Sequence, residues 1–102
     1  MLPKLISLER VGDQFESGTR VAIGGQSVFM NPMGLVRALL RSGCRSLDLV
    51  ASPVGGLAVD LLIGADAVTS VEFAQVSLWE YGMAPHFRRS AEEGRIELRE
   101  HA

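Results

Sequence analysis

The chain has 102 residues, 47% of them hydrophobic and 22% charged, with a formal net charge of −2. This make-up suits one small globular domain spanning residues 1–102, and the mixed, slightly acidic charge gives nucleic acid no footing. The apolar runs are too short to cross a bilayer, and the opening MLPKLISLERVGD lacks a signal peptide's apolar core and cleavage site, so a cytoplasmic protein without membrane contact is expected.

Leu8 to Phe15 reads as a first helix, with Ser7 as its N-cap and Gly18 just beyond its end. Val21-Ala22-Ile23 fits a buried strand that stops at Gly24-Gly25. Asn31 is a favoured N-cap and Pro32 a favoured first helical residue. They predict a helix from Met33 to Ser42, with Leu35, Val36, Leu39 and Leu40 on one face and Gly43 as its stop. Leu47 to Ala51 is a second strand, and Ser52-Pro53-Val54-Gly55-Gly56 a turn at its carboxyl end. A short apolar helix, Leu57 to Ile63, ends at Gly64. Thr69 to Val76 carries the β-branched and aromatic residues of a third strand. An irregular, aromatic-rich connection, Ser77 to Ala84, leads through Pro85 to a helix from His86 to Glu93, stopped by Gly94. Arg95 to Arg99 alternates as a half-exposed strand does.

Strands alternate with helices, so the expected fold is α/β: an open parallel sheet with helices on both faces, a Rossmann-like three-layer arrangement with right-handed crossovers. Four strands and about four helices are thin cover for such a sheet. The domain is therefore expected to be incomplete alone, completed by another chain or by more of its own.

In open α/β sheets, ligands bind beyond the carboxyl ends of the strands. Gly24-Gly25 lies at such an end, shortly before a helix. Glycine admits close approach to the backbone, and free N–H groups there suit anions. The segment is neither G-x-G-x-x-G nor a P-loop, so the turn by itself reads as structural more readily than as ligand-binding. Ser52 and Gly55-Gly56 end the next strand and belong to the same crevice. The single cysteine, Cys44, excludes an intrachain disulfide and reads as a small packing residue. His86 and His101 stand isolated, and no spacing suggests a metal site. Arg88 and Arg89 lie four residues before Glu92 and Glu93, as surface ion pairs do. Asp60 and Asp66 read as solvent-facing or capping residues, and Trp79, Tyr81 and Phe87 as packing residues, with an acyl pocket or a partner face as the alternative.

Several segments together resemble the α subunits of family I coenzyme A transferases, of the glutaconate or 3-oxoacid type. VAIGGQSVFMNP is similar to that family's strand, glycine turn and Pro-led helix. KLISLERV, MGLVRALLRSGCRSLDLVAS, SPVGGLAVDLLIGADAV and APHFRRSAEEGRIELREHA are similar to its opening helix and successive units. The likeness covers nearly all of this chain and only the amino-terminal part of such a subunit. Gln26 stands where the signature has Phe, Met30 where it has Gly, and Ser17 where it has Asp or Asn, whereas Gly24, Gly25 and Pro32 are kept.

The resemblance implies transfer of CoA between carboxylic acids through a glutamyl-CoA thioester. The family's glutamate lies in Ser-Glu-Asn-Gly, a motif this sequence lacks, so the nucleophile is expected on a β-type partner in a hetero-oligomer. The expected CoA or substrate contacts are Gly24, Gly25, Gln26, Ser27, Ser52, Gly55 and Gly56, with the backbone N–H groups of Gly24, Gly25 and Gln26 as oxyanion donors. Glu80, just after the third strand, is the one local carboxylate to compare with that nucleophile, although a solvated loop residue or a partner for Arg88 or Arg89 is the preferred reading. The acyl-CoA thioester enters as substrate, with no permanently bound cofactor and no metal. The same family includes relatives that open steroid-derived rings on CoA thioesters, so a hydrolase or hydratase subunit, or a non-catalytic CoA- or partner-binding remnant, is the alternative.

Overall fold

The computed structural model describes residues 5–101. Ser7 does cap the first helix, α1 (Leu8–Gly12): its hydroxyl accepts from the Arg10 N–H at 3.2 Å. The helix is shorter than the expected Leu8–Phe15. Asp13 closes it, and Phe15 lies in the loop that follows. Next come β1 (Arg20–Ile23), α2 (Met33–Arg41) and β2 (Leu47–Ala51). They are followed by β3 (Val54–Gly55), α3 (Leu57–Gly64), β4 (Val68–Phe73) and β5 (Gln75–Val76). A single 3-10 turn at Trp79–Tyr81 then leads to α4 (Pro85–Glu93) and β6 (Glu97–Glu100). The expected third strand is thus two: β4 ends at Phe73, and β5 pairs in parallel with β3, a strand inside what reads in sequence as a plain turn.

The main sheet is parallel, in the order β1-β2-β4-β6. Each new strand is added on the same side of the last. Right-handed crossovers that always advance in one direction lay their helices on one face. The parallel α/β sheet is as expected, but α2, α3 and α4 share a face instead of covering both. The core reflects this. Val21, Ile23, Leu47, Leu49, Val68 and Val71 from the strands meet Val36 and Leu39 of α2 and Ala58, Val59, Leu62 and Ile63 of α3, with Cys44 buried among them. Phe73 and Phe87 of α4 pack edge to face against the same core, with ring centroids 5.2 Å apart. Gly12 lets α1 lie against α2, since a Cβ there would come within 2.7 Å of the Ala38 carbonyl oxygen.

The other face carries two rows set by the register: Arg20, Asp48, Ser70 and Glu97, then Ala22, Val50, Glu72 and Arg99. None of these residues belongs to the core among the described residues. Their charges pair with one another. Asp48 accepts from the Ser70 hydroxyl at 2.5 Å and the Arg20 Nε at 2.9 Å, and Arg99 reaches it at 3.4 Å. The Ser70 hydrogen bond, and then the Arg20 and Arg99 guanidinium groups, hold the Asp48 carboxyl below its ordinary value. Glu97 and Asp48 together hold Arg99 above its own.

The helix ends follow the sequence in part. Gly94, with φ 67°, closes α4 in the left-handed region as a C-terminal glycine does. Arg88 pairs with Glu92 at 3.0 Å, as the i,i+4 spacing predicts, but Glu93 turns to Arg95 at 2.5 Å and leaves Arg89.

Two outcomes test this account. The ionised Asp48 is favoured by folding, so its contribution is complete above the unfolded carboxyl's range near pH 4 and is lost as pH falls through its lowered folded value. Asp48→Asn should flatten the acid limb of a urea-denaturation series below pH 4, with a cost at pH 7 under about 1 kcal/mol because both arginines stay in contact with water. Gly56→Ala should cost far more, about 3 kcal/mol or above in the same assay, because its Cβ would sit 2.1 Å from the Ser27 carbonyl oxygen, a backbone atom with nowhere to go.

Candidate functional site

The carboxyl ends of β1, β2 and β4 meet at three loops that lock together. The β1 loop starts at Gly24-Gly25. Gly25 has φ 98°, and a Cβ there would come within 2.8 Å of the Met30 carbonyl oxygen, so the turn needs glycine for both conformation and space. Gln26 and Phe29 then exchange backbone hydrogen bonds of 2.8 and 2.7 Å around a tight turn in which Ser27 has φ 51°.

Ser27 is fully buried and faces the other two loops. Its N–H donates to the Val54 carbonyl at 2.8 Å and its hydroxyl to the Ser77 carbonyl at 3.0 Å. Its own carbonyl accepts from the Leu57 N–H at 3.0 Å and the Asn31 amide at 2.9 Å. Asn31 is not the N-cap of α2 that its neighbours predict; Pro32 occupies that position. The Asn31 amide also donates to Phe29 at 3.0 Å, and its oxygen accepts from the Ala58 N–H at 3.1 Å. It therefore caps α3, a helix that begins 26 residues after it in the chain. Asp60 does the same one unit on: buried in α3, it accepts from the Phe87 N–H at the start of α4 at 2.8 Å. Asp66, by contrast, is exposed, with φ 58°, just after α3.

The seven expected contact residues therefore separate into two groups. Gly25 and Gln26, with Met30 and Pro53, line an open cleft of about 340 Å³, and Gly24 is exposed beside it. Ser52 borders it and donates its hydroxyl to the Gly25 carbonyl. Ser27, Gly55 and Gly56 are buried between the loops, where the glycines permit contact of protein with protein. The Gln26 N–H, expected as an oxyanion donor, is bonded to Phe29. The N–H groups of Gly24 and Gly25 have no backbone acceptor among the described residues and remain available for a ligand.

Glu80 sits exposed on the 3-10 turn and forms no ion pair with Arg88 or Arg89 among the described residues. Phe87 is a packing residue, as expected. Trp79, Tyr81 and Met83 are exposed, with Phe29 against Trp79 at 6.1 Å between ring centroids and Met30 open to solvent nearby. Among the described residues no cluster of side chains suits a metal ion, and no helix is long and apolar enough to cross a membrane.

A second open cleft adjoins the first at Pro53. It holds about 560 Å³ between Val50, Ala51, Glu72, Phe73, Ala74 and His101. His101 is not isolated: its Nε2 lies 2.6 Å from the Glu72 Oε1. The two are 29 residues apart in sequence, and only the parallel pairing of β4 with β6 brings them together.

The family model for coenzyme A transferase matches residues 6–101. The chain belongs to the coenzyme A transferase family. It is 38% identical over 98 residues to the IpdA subunit of a cholesterol ring-cleaving hydrolase from Rhodococcus jostii, a match spanning 95% of this chain and 32% of that subunit. Its fold superposes on a variant of the decarboxylase AibA/AibB with a TM-score of 0.85 at 28% identity, over 95% of this chain and 38% of that one. It also superposes on glutaconate coenzyme A-transferase from Acidaminococcus fermentans with a TM-score of 0.82 at 24% identity, over 98% of this chain and 32% of that one. This coenzyme A transferase chain thus spans about a third of the length of the relatives it matches. The parallel sheet and its helices share the fold of these two structures.

Asn31→Ala would remove three hydrogen bonds and leave the Ala58 N–H without its cap. The expected cost is about 1–3 kcal/mol in chemical denaturation, with faster hydrogen exchange at the α3 amino terminus than at α2.

Proposed function

We propose that this chain supplies one half of an acyl-CoA site, which a β-type partner subunit completes. The observation that carries the reading is the cleft at the Gly24-Gly25 turn, where two unpartnered backbone N–H groups stand at the carboxyl end of a parallel sheet. Attack on a thioester carbonyl places negative charge on its oxygen, and one well-placed donor is worth about 3 kcal/mol to that transition state. Ser52 supports the reading by fixing the Gly25 carbonyl, which sets the direction of the turn. Exposed Met30 lines the cleft, and the exposed Phe29, one residue before it, packs near Trp79, giving apolar surface suited to the acyl group or to the partner.

Two reactions use such a half-site. In CoA transfer, a glutamate of the partner attacks the thioester and carries CoA on its own carboxyl. In hydrolysis, water attacks a carbonyl of the CoA-linked group. The second is favoured by the 38% identity to a subunit named for ring-cleaving hydrolysis, and by Gln26 and Met30, which depart from the transferase signature.

Gly24→Leu tests the half-site itself. A Cβ at Gly24 meets nothing within 4 Å and φ is not positive, so melting should be unchanged while CoA affinity, measured by calorimetry on the chain with its co-purified partner, falls about tenfold or more. Unchanged affinity removes the turn from the site. Hydroxylamine trapping then separates the reactions: transfer leaves a glutamyl-CoA thioester on the partner, whereas hydrolysis releases free acid and leaves none. A label on Glu80 would move the nucleophile to this chain.

A further inference from the structure

The second cleft holds a pair of side chains that the glycine-turn reading does not use. His101 extends the β6 edge: its N–H donates to the Phe73 carbonyl at 2.8 Å, so its backbone is fixed to the end of β4. Its ring is fixed as well, by the 2.6 Å contact of Nε2 with the Glu72 Oε1. Glu72 lies opposite Val50 on β2 and opposite Arg99 on β6, so the carboxylate is held on a strand between two others. A carboxylate can only accept, so Nε2 carries the proton of this contact, and in the neutral imidazole that leaves the lone pair on Nδ1. No other hydrogen bond engages the ring among the described residues. The cleft walls, Val50, Ala51, Pro53, Phe73 and Ala74, are apolar, and Pro53 joins this cleft to the one at Gly25.

We propose that His101, oriented by Glu72, is a general base that activates water against a carbonyl of a CoA-linked acyl group lying across the two clefts. The proposal rests on the acyl-CoA reading and deepens it. Nδ1 takes one proton from water as its oxygen bonds to the carbonyl carbon, and the carbonyl oxygen becomes the oxyanion within the second cleft, while the Gly24 and Gly25 N–H groups, at the end of β1 and so two strands from Glu72, hold another part of the acyl-CoA. The carbonyl re-forms as the bond to the leaving atom, sulfur or carbon, breaks. The imidazolium returns its proton to that atom, and water is the only co-reactant. Glu72 is a positioning residue: it holds the ring and its tautomer without touching the substrate.

The test uses the chain with its co-purified partner, CoA for binding, and acetoacetyl-CoA as the reacting probe, followed by release of acetyl-CoA or free CoA. His101→Ala should bind CoA as wild type does, lose about 10²-fold or more in kcat with KM within about twofold, and recover part of that loss when imidazole is added. Glu72→Gln, whose amide oxygen still accepts from Nε2, should keep more activity than Glu72→Ala. Wild-type turnover in His101→Ala, or a loss that imidazole does not restore, overturns the proposal. So does CoA binding by the wild type without any water-dependent turnover of acetoacetyl-CoA. Failure of the wild type to bind CoA is a different result, and removes the acyl-CoA reading together with the dyad.

Discussion

The handedness of the strand-helix-strand crossover governs most of what this chain can present. Every crossover is taken in the same direction across the sheet, from β1 to β2 to β4 to β6. Right-handedness then sends every connecting helix to one side and leaves every carboxyl strand end at one edge. The apolar residues of the strands follow the helices, and the polar rows of Arg20, Asp48, Ser70 and Glu97 and of Glu72 and Arg99 occupy the other face. Both clefts lie along the edge where the strands end, because no other edge of a parallel sheet collects the start of every crossover loop.

Within that edge, the glycines have two different duties. Gly24 faces open space, Gly25 lines the cleft while its other side packs against the Met30 carbonyl, and Gly55 and Gly56 face other protein. Close approach of backbone to backbone at Ser27 and Gly56, with the hydrogen bonds of Ser27, Asn31 and Ser52, ties the loops to one another beside the donors at Gly24 and Gly25. A site for developing negative charge needs donors that do not have to reorganise. The buried hydroxyl of Ser27 and the fully bonded amide of Asn31 serve the site by holding it still, not by touching a ligand.

Much of this was legible in the sequence, because the signals are local. Apolar periodicity marks α2 and α3, and glycines mark the ends of α2, α3 and α4. What escaped has long-range causes. The pairing of β3 with β5 is invisible in two-residue strands, and Asn31 followed by Pro has the form of a local cap although the side chain turns to another helix. The one-sided helix layer depends on strand order, which no segment encodes alone. His101 and Glu72 are each ordinary in sequence and meet only through the register of β4 and β6. The family itself is legible, because a resemblance along the whole chain carries order information that separate motifs lack.

Asn31 and Asp60 have one more consequence. Each completes the first turn of a helix that lies later in the chain, α3 and α4 respectively. Each strand of the main sheet after β1 likewise pairs with one that precedes it. A segment leaving a ribosome therefore finds its partner strand and the cap for its helix already made. Contacts form between neighbouring units, so loop-closure entropy stays small at each addition. The order of synthesis therefore matches the order in which the strands lie across the sheet, from β1 to β6.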